Sequence, residues 1–257
     1  MGNGRRWTAG ALRALAVRER ERGRYVRAAR WHRAAAAIAT RNRDPALIAF
    51  LNDWGVSCKF AGLFDEGESA YRRAVALGPT SEQTAVLAHN LGGLAHARGD
   101  MAAAEPHARR ALELRRASRS PDHPDVAAEL AALAPILHGL GRYAEAEAMF
   151  REALEIFGTD HREAGFVLGN LGALMQDAGH VDQAAACYEE SLRIKERALG
   201  PHHPAVAITL SNLGLLRLRR GGDARAPLDR ALTIMRARLA PDHPALRACE
   251  ARRARCP

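Results

Sequence analysis

The chain has 257 residues, of which 47% are hydrophobic and only 5% aromatic, and its formal net charge is +9 at pH 7. This length is enough for a buried core, and a composition rich in Ala and Leu favours helices that touch through many small contacts. No apolar stretch approaches the roughly 20 residues of a membrane span, no hydrophobic signal segment opens the chain, and the four cysteines form no CxxC pair. We therefore expect a cytoplasmic protein with reduced cysteines.

The positive charge is concentrated at the amino-terminal end. Residues 1–43 hold twelve Arg and two Glu, a net of +10, whereas residues 44–242 hold 22 basic and 26 acidic side chains, a net of −4. We define a basic patch within the first segment by Arg5, Arg6, Arg24, Arg27 and Arg30. A cluster of arginines at one end predicts a contact with nucleic acid or with an acidic protein.

Six copies of one pattern follow along the chain, and each predicts a pair of amphipathic helices. The repeats cover residues 8–40, 45–78, 83–117, 124–158, 162–198 and 204–239, and one more helix is predicted over 245–255. Each repeat breaks at a glycine, and the six are Gly23, Gly62, Gly99, Gly141, Gly179 and Gly221. A small residue stands seven positions before each of them, because the two helices of a hairpin approach closely only where side chains are small. A lone hairpin buries too little surface to persist, so the pattern predicts a stack.

The small residues and turn glycines resemble the pattern of the tetratricopeptide repeat (TPR). Three inter-repeat segments narrow the resemblance to kinesin-light-chain-type repeats, which also occur in bacterial proteins: SPDHPDVA at 120–127, GPHHPAVA at 200–207 and APDHPALR at 240–247. The resemblance implies an all-α TPR solenoid in a single domain over residues 1–257. It further implies a right-handed superhelix of six helix hairpins with a carboxy-terminal capping helix.

In TPR proteins the first helices of the hairpins line a concave groove, so the resemblance also identifies candidate binding residues. In this sequence they are Arg13, Arg20, Asn52, Val56, Lys59, His89, His96, His138, Gln176 and Ser211. These residues describe a small apolar floor and a polar wall that is cationic towards the amino terminus. Such a groove suits an extended or helical peptide with apolar side chains and an acidic end. The carboxylate clamp of TPR co-chaperones is not matched, because no Asn stands at the ninth repeat positions.

No sequence motif points to catalysis. The chain has no nucleophile elbow, phosphate loop, HExxH or paired-carboxylate motif, so we expect no enzyme activity and no cofactor. The imidazoles of His89, His96 and His138 could together bind zinc, but no cysteine or carboxylate stands at ligand spacing, and no metal site is predicted.

Three functional hypotheses from different classes remain, and the third, after the two below, is an enzyme. The leading one is a non-enzymatic scaffold or adaptor that holds a peptide or partner protein in the groove, alone or as a subunit of a larger bacterial complex. The alternative is a regulatory contact of the basic amino-terminal repeat with nucleic acid or an acidic protein. The absence of a recognition motif and the few stacking aromatics argue against nucleic acid.

Overall fold

The structure, a computed structural model, describes residues 7–159, 161–239 and 243–256. Within these ranges the chain forms thirteen helices and no strand. The molecule divides into two compact units, residues 1–121 and residues 122–257, which we call unit 1 and unit 2. The all-α class and the six helix hairpins with a last helix are confirmed. The single domain predicted for residues 1–257 stays a prediction.

Unit 1 consists of three helix hairpins. Its helices are α1 (Ala9–Glu21), α2 (Tyr25–Arg41), α3 (Leu47–Ala61), α4 (Phe64–Val75), α5 (Ser81–Arg98) and α6 (Met101–Ser118). Phe50, Leu51, Trp54 and Tyr71 are among the large side chains of its core, which is also rich in alanine. The helix α3 ends at Gly62 with φ of 71° and the helix α5 at Gly99 with φ of 88°, in the left-handed region that glycine adopts without a steric penalty.

Unit 2 consists of three further hairpins and a final helix. Its helices are α7 (Pro124–Gly139), α8 (Tyr143–Phe157), α9 (Arg162–Asp177), α10 (Val181–Leu199), α11 (Pro204–Arg219), α12 (Arg225–Arg238) and α13 (Pro244–Ala254). The last helix packs on the hairpin of α11 and α12, and its side chains Leu246 and Cys249 are buried there. It therefore caps the sixth hairpin, as the sequence predicts. No helix of the described ranges combines the length and apolar character needed to cross a membrane.

The repeat register predicted from the sequence is confirmed. All six predicted turn glycines have positive φ. A Cβ atom at Gly172 would stand 2.9 Å from the Tyr188 ring, and one at Gly92 would stand 3.2 Å from the backbone nitrogen of Ala108. The helices α9 and α10, like α5 and α6, therefore approach so closely that a side chain at these positions would force them apart.

Candidate partner-binding surface

The predicted groove residues lie on the first helices of the hairpins. We call the exposed side of α1, α3 and α5 the first-helix surface of unit 1, and that of α7, α9 and α11 the first-helix surface of unit 2. On α3, Asn52, Val56 and Lys59 follow one another at helical spacing, and all three are half-buried. On α5, His89 and His96 are seven residues apart and also half-buried. The sequence spacing thus brings these five side chains to neighbouring helices.

A concavity of about 160 Å³ lies between the amino-terminal parts of α3 and α5. It is lined by Ile48, Ala49, Asn52, Glu82, Gln83, Val86 and Leu87. The side chains of Asn52 and Asn90 join the two helices through a hydrogen bond of 2.8 Å, donated by the Asn90 amide nitrogen. Aliphatic side chains dominate the lining, and a dry cavity of roughly 150 Å³ in a protein can hold a benzene ring. The concavity is therefore large enough for one apolar side chain of a partner.

Lys59 supplies a cation close to this concavity. Its Nζ lies 3.4 Å from the place where a Cβ atom would stand on Gly93, so the glycine on α5 leaves room for the ammonium group. Burial lowers the pKa of Lys59, and no carboxylate among the described residues pairs with it. The pKa of His96 is lowered mainly by burial and further by the charge of Lys59, so this imidazole is neutral at pH 7. His96 therefore contributes polarity rather than charge to the predicted cationic wall.

The two arginines predicted on α1 differ in their charge partners. Arg13 donates to Asp53 on α3, and its guanidinium lies 5.5 Å from the centroid of the Phe50 ring. Arg20 forms no ion pair within the described ranges. Because Asp53 neutralises Arg13, the predicted groove residues of unit 1 contribute positive charge through Arg20 and Lys59.

The three predicted residues of unit 2 lie in different settings. His138 Nε2 is 3.1 Å from the Asp177 Oδ2 atom, so this imidazole already has an acidic partner. The Gln176 Oε1 atom is buried and lacks a hydrogen-bond donor among the described residues. Ser211 is only 3% exposed, and its hydroxyl accepts a 2.8 Å hydrogen bond from Arg252 of α13. The capping helix thus covers Ser211, which was predicted to face the groove, because the guanidinium reaches across to α11.

Lys195 on α10 is a residue that the groove pattern missed. Its Nζ donates to Thr209 Oγ1 at 2.9 Å and lies 4.9 Å from the centroid of the Phe166 ring. The same Nζ is 3.0 Å from the place where a Cβ atom would stand on Gly169 of α9. Burial lowers the pKa of Lys195 to about 8, and no described carboxylate pairs with it. Lys59 and Lys195 are the only lysines of the chain, and each lies beside a glycine of a first helix.

The basic patch lies on the first hairpin. Glu19, which is buried, pairs with Arg22 and Arg24 at 3.5 Å each and with Arg27 at 4.0 Å. Arg30 is exposed and forms no ion pair in the part of the chain that is described. Arg5 and Arg6 lie outside the described residues.

Within the described ranges, no group of three or more His, Cys, Asp or Glu side chains is arranged to hold a metal ion. His89 and His96 share α5 in unit 1, and His138 is on α7 in unit 2. The described residues therefore give no support to the zinc hypothesis.

Stacked helix hairpins with small residues at the helix crossings define a class of repeat proteins whose surfaces bind other proteins. The sequence profile of the tetratricopeptide repeat matches residues 45–117, 83–159 and 163–226. The chain belongs to the tetratricopeptide repeat family. The TPR fold makes this chain a protein-interaction scaffold.

One curated protein and two solved structures are similar to this chain. The protein KINESIN LIGHT CHAIN-RELATED 1 of Arabidopsis thaliana is 37% identical over 91 residues, which are 33% of this chain and 15% of that protein. The crystal structure of BtubC (BKLC) from P. vanneervenii has a TM-score of 0.65 and 25% identity, over 93% of this chain and 96% of that one. A putative kinesin light chain of Podosopora anserina with nearly identical TPR-like repeats has a TM-score of 0.60 and 18% identity, over 76% and 99% of the two chains. The chain thus spans a small fraction of the plant relative's length and nearly all of the two solved chains.

Proposed function

We propose that the chain binds an acidic, partly apolar peptide segment of a partner protein on its first-helix surfaces and catalyses no reaction. The proposal depends chiefly on one observation in unit 1. An apolar concavity of about 160 Å³ and Lys59 lie along the same stripe of α3, and Lys59 has no carboxylate partner among the described residues. A peptide that places an apolar side chain in the concavity and a carboxylate near Lys59 gains buried apolar area and a charge-assisted hydrogen bond.

The spacing on α3 sets the pattern expected in the peptide. Asn52 at the concavity and Lys59 are two helical turns apart, which corresponds to roughly 10 Å along the helix axis. An extended peptide advances about 3.3 Å per residue, so an acidic residue about three positions from the apolar one would reach the ammonium group. An extended segment with this spacing is the ligand that the surface favours.

Unit 2 offers two further polar groups to a peptide. The ammonium of Lys195 beside Gly169 would donate to a carboxylate of a peptide bound on unit 2, and it already lies against the aromatic ring of Phe166. The buried Oε1 of Gln176 has no donor among the described residues, so a peptide N–H group would satisfy it. Both features support a polar peptide ligand rather than a purely apolar one.

The test is a binding measurement with a partner that the wild-type chain captures from a native lysate and that mass spectrometry identifies. We expect the double variant Lys59→Glu with His96→Gln to bind this partner at least about tenfold more weakly, since it reverses the charge beside the concavity. Both side chains are only half-buried, so replacing them removes little packing and the melting temperature should change little.

The matched control is Arg110→Glu on α6, which changes the net charge by the same amount. Arg110 is exposed and pairs with Glu113 on its own helix, away from the stripes of α3 and α5. The control should bind like the wild-type chain. Equal losses in both variants, or full binding by the Lys59→Glu, His96→Gln variant, would refute binding on the first-helix surface of unit 1.

A further inference from the structure

The first hairpin has one side that no described element covers. The helix α2 contacts α3 through His32, whose Nδ1 lies 2.8 Å from the Ser57 hydroxyl oxygen. The opposite side of α2, together with the adjoining face of α1, borders a concavity of about 480 Å³. We call this the end surface, and its lining residues are Leu15, Glu19, Arg27, Arg30, Trp31 and Ala34. Arg18 and Arg22 extend it along α1, at helical spacing from Leu15.

The end surface has an apolar centre and a cationic rim. Leu15 and Ala34 are half-buried, and the Trp31 side chain leaves 37% of its surface exposed between them. Glu19 is the carboxylate of the lining, and Arg22, Arg24 and Arg27 surround it. Arg18 and Arg30 form no ion pair within the described ranges, so the rim keeps a net positive charge.

We propose that the end surface binds an acidic amphipathic helix of a partner protein. A helix laid along the groove between α1 and α2 would seat its apolar stripe against Leu15, Trp31 and Ala34. Carboxylates that flank this stripe would meet the guanidinium groups of Arg18 and Arg30. The shape follows from the repeat itself, because the second and third hairpins of unit 1 each pack on the one before, and the first hairpin therefore keeps a side that no described helix of unit 1 covers. None of its residues belongs to the concavity between α3 and α5 or to the stripe of α3 that holds Lys59.

Charge argues against two occupants from the chain itself. Residues 1–6 include Arg5 and Arg6 and no acidic residue, so like charges would repel this segment from the rim. The carboxy-terminal segment of a second copy is also basic, because the last fifteen residues hold four Arg against Glu250. A contact between this segment and the end surface would therefore place arginines against arginines, which repel one another.

The apolar centre argues for a protein rather than a nucleic acid. Single-stranded nucleic acid binds through successive exposed aromatic rings along a cationic track. The end surface has one half-exposed indole, Trp31, and its other central side chains are aliphatic. Aliphatic side chains in a concavity fit the apolar stripe of a helix better than they fit bases and phosphates.

The experiment uses the full chain and a designed peptide probe. The probe is a fluorescein-labelled amphipathic helix of about 18 residues, or five turns, with a leucine stripe and glutamates elsewhere. Its dissociation constant is measured by fluorescence anisotropy for the wild-type chain and for Arg18→Glu with Arg30→Glu. These two arginines form no ion pair among the described residues, so the double change should leave the thermal melt unaltered. We expect the variant to bind the probe at least about tenfold more weakly.

Three comparisons make the result specific. The variant Arg238→Glu with Arg247→Glu on unit 2 lowers the net charge equally and should bind like the wild-type chain. The Lys59→Glu, His96→Gln variant should also keep its affinity, which separates this surface from that of the proposed function. A probe with Gln for Glu should bind weakly because it lacks the negative charges that meet the arginines. A probe with Ser for Leu should bind weakly because it lacks the apolar stripe.

Several outcomes would overturn the proposal. They are no measurable binding of the acidic probe, equal binding of the Gln probe, or an equal loss in the control variant on unit 2. An oligothymidylate of about 15 nucleotides that binds more tightly than the peptide, and depends on Arg18 and Arg30, would reassign the surface to nucleic acid.

Discussion

At the scale of single residues, His32 is a titratable group in the interior of unit 1. It is completely buried, and its Nδ1 lies 2.8 Å from Ser57 Oγ while Nε2 has no partner among the described residues. Burial lowers the pKa of His32 to about 4; the charge of Asp53 opposes this, and the charges of Arg20 and Arg13 add to it. The imidazole is thus neutral in the folded chain at neutral pH, although it would titrate near 6.5 when unfolded.

This difference predicts that acid destabilises unit 1. Between pH 6.5 and about 4 the unfolded chain binds a proton at His32 and the folded chain does not, so the free energy of unfolding falls as the pH is lowered. The full loss of unfolding free energy is roughly 3 kcal/mol. It is reached near pH 4 and is absent above pH 7. Urea denaturation at pH 7.5, 6.0 and 5.0 followed by circular dichroism would measure it.

The control is His32→Asn, which keeps a hydrogen-bonding group near Ser57 but does not titrate. Its free energy of unfolding should depend less on pH than that of the wild-type chain across this window. Parallel pH profiles for the two chains would mean that His32 does not carry the effect.

At the scale of helices, four histidines of unit 2 have a capping role that the sequence interpretation overlooked. The Nδ1 atoms of His123, His161, His203 and His243 each accept the backbone N–H two residues further on, at 3.0 to 3.2 Å. The helices α7, α11 and α13 then continue with proline, which has no N–H to leave unsatisfied in the first turn. The His-Pro segments therefore act as helix starts for the first helices of the unit.

Removing one of these caps should have a local cost. We expect His203→Ala to lower the free energy of unfolding by about 1 kcal/mol, as other N-cap losses do, whereas His203→Ser should restore most of it because serine is a good N-cap. Thermal and urea denaturation of the three chains would measure the difference. Equal stability of the Ala and Ser variants would show that the ring is not needed as an acceptor.

The helices themselves were predictable because each depends on local spacing. The turn glycines Gly62 and Gly99 stand where the apolar period breaks, and the positive φ that the structure gives them is one that few other residues tolerate. The histidine caps were less predictable, since Ser, Thr, Asp and Asn are the usual N-caps and a ring nitrogen is a rarer acceptor there.

At the scale of the whole molecule, the candidate site was predictable only in part. The helical period predicts Asn52, Val56 and Lys59 on one stripe of α3, and all three are half-buried there. It gave no indication that Asp53 neutralises Arg13 or that Arg252 covers Ser211, because those pairs are 40 and 41 residues apart. Contacts of that range depend on how neighbouring hairpins pack, and a periodicity contains no information about them.

Packing on one side or on both also predicts how stability is distributed along the chain. In unit 2 the hairpin of α9 and α10 packs against α8 and against α11, whereas the main packing partners of α13 among the described helices are α11 and α12. In unit 1, α3 and α4 lie between α2 and α5, whereas the main packing partner of α1 is α2. In repeat proteins each interface adds to the stability of the repeats it joins, so the end helices should open most readily.

Hydrogen exchange at pH 7, read by mass spectrometry, should therefore be at least about tenfold faster in α1 and α13 than in α9 and α10, a difference of about 1.4 kcal/mol in opening free energy. Leu174→Ala, a change at a completely buried side chain of α9, should speed exchange most in α9 and α10 and less in α13. Uniform protection across each unit would show that the helices open together, and would refute the gradient.

The acidic helix probe should also change hydrogen exchange, because a helix seated between α1 and α2 supplies the interface that the first hairpin lacks. Exchange in α1 should then slow in the wild-type chain and stay fast in the Arg18→Glu, Arg30→Glu variant.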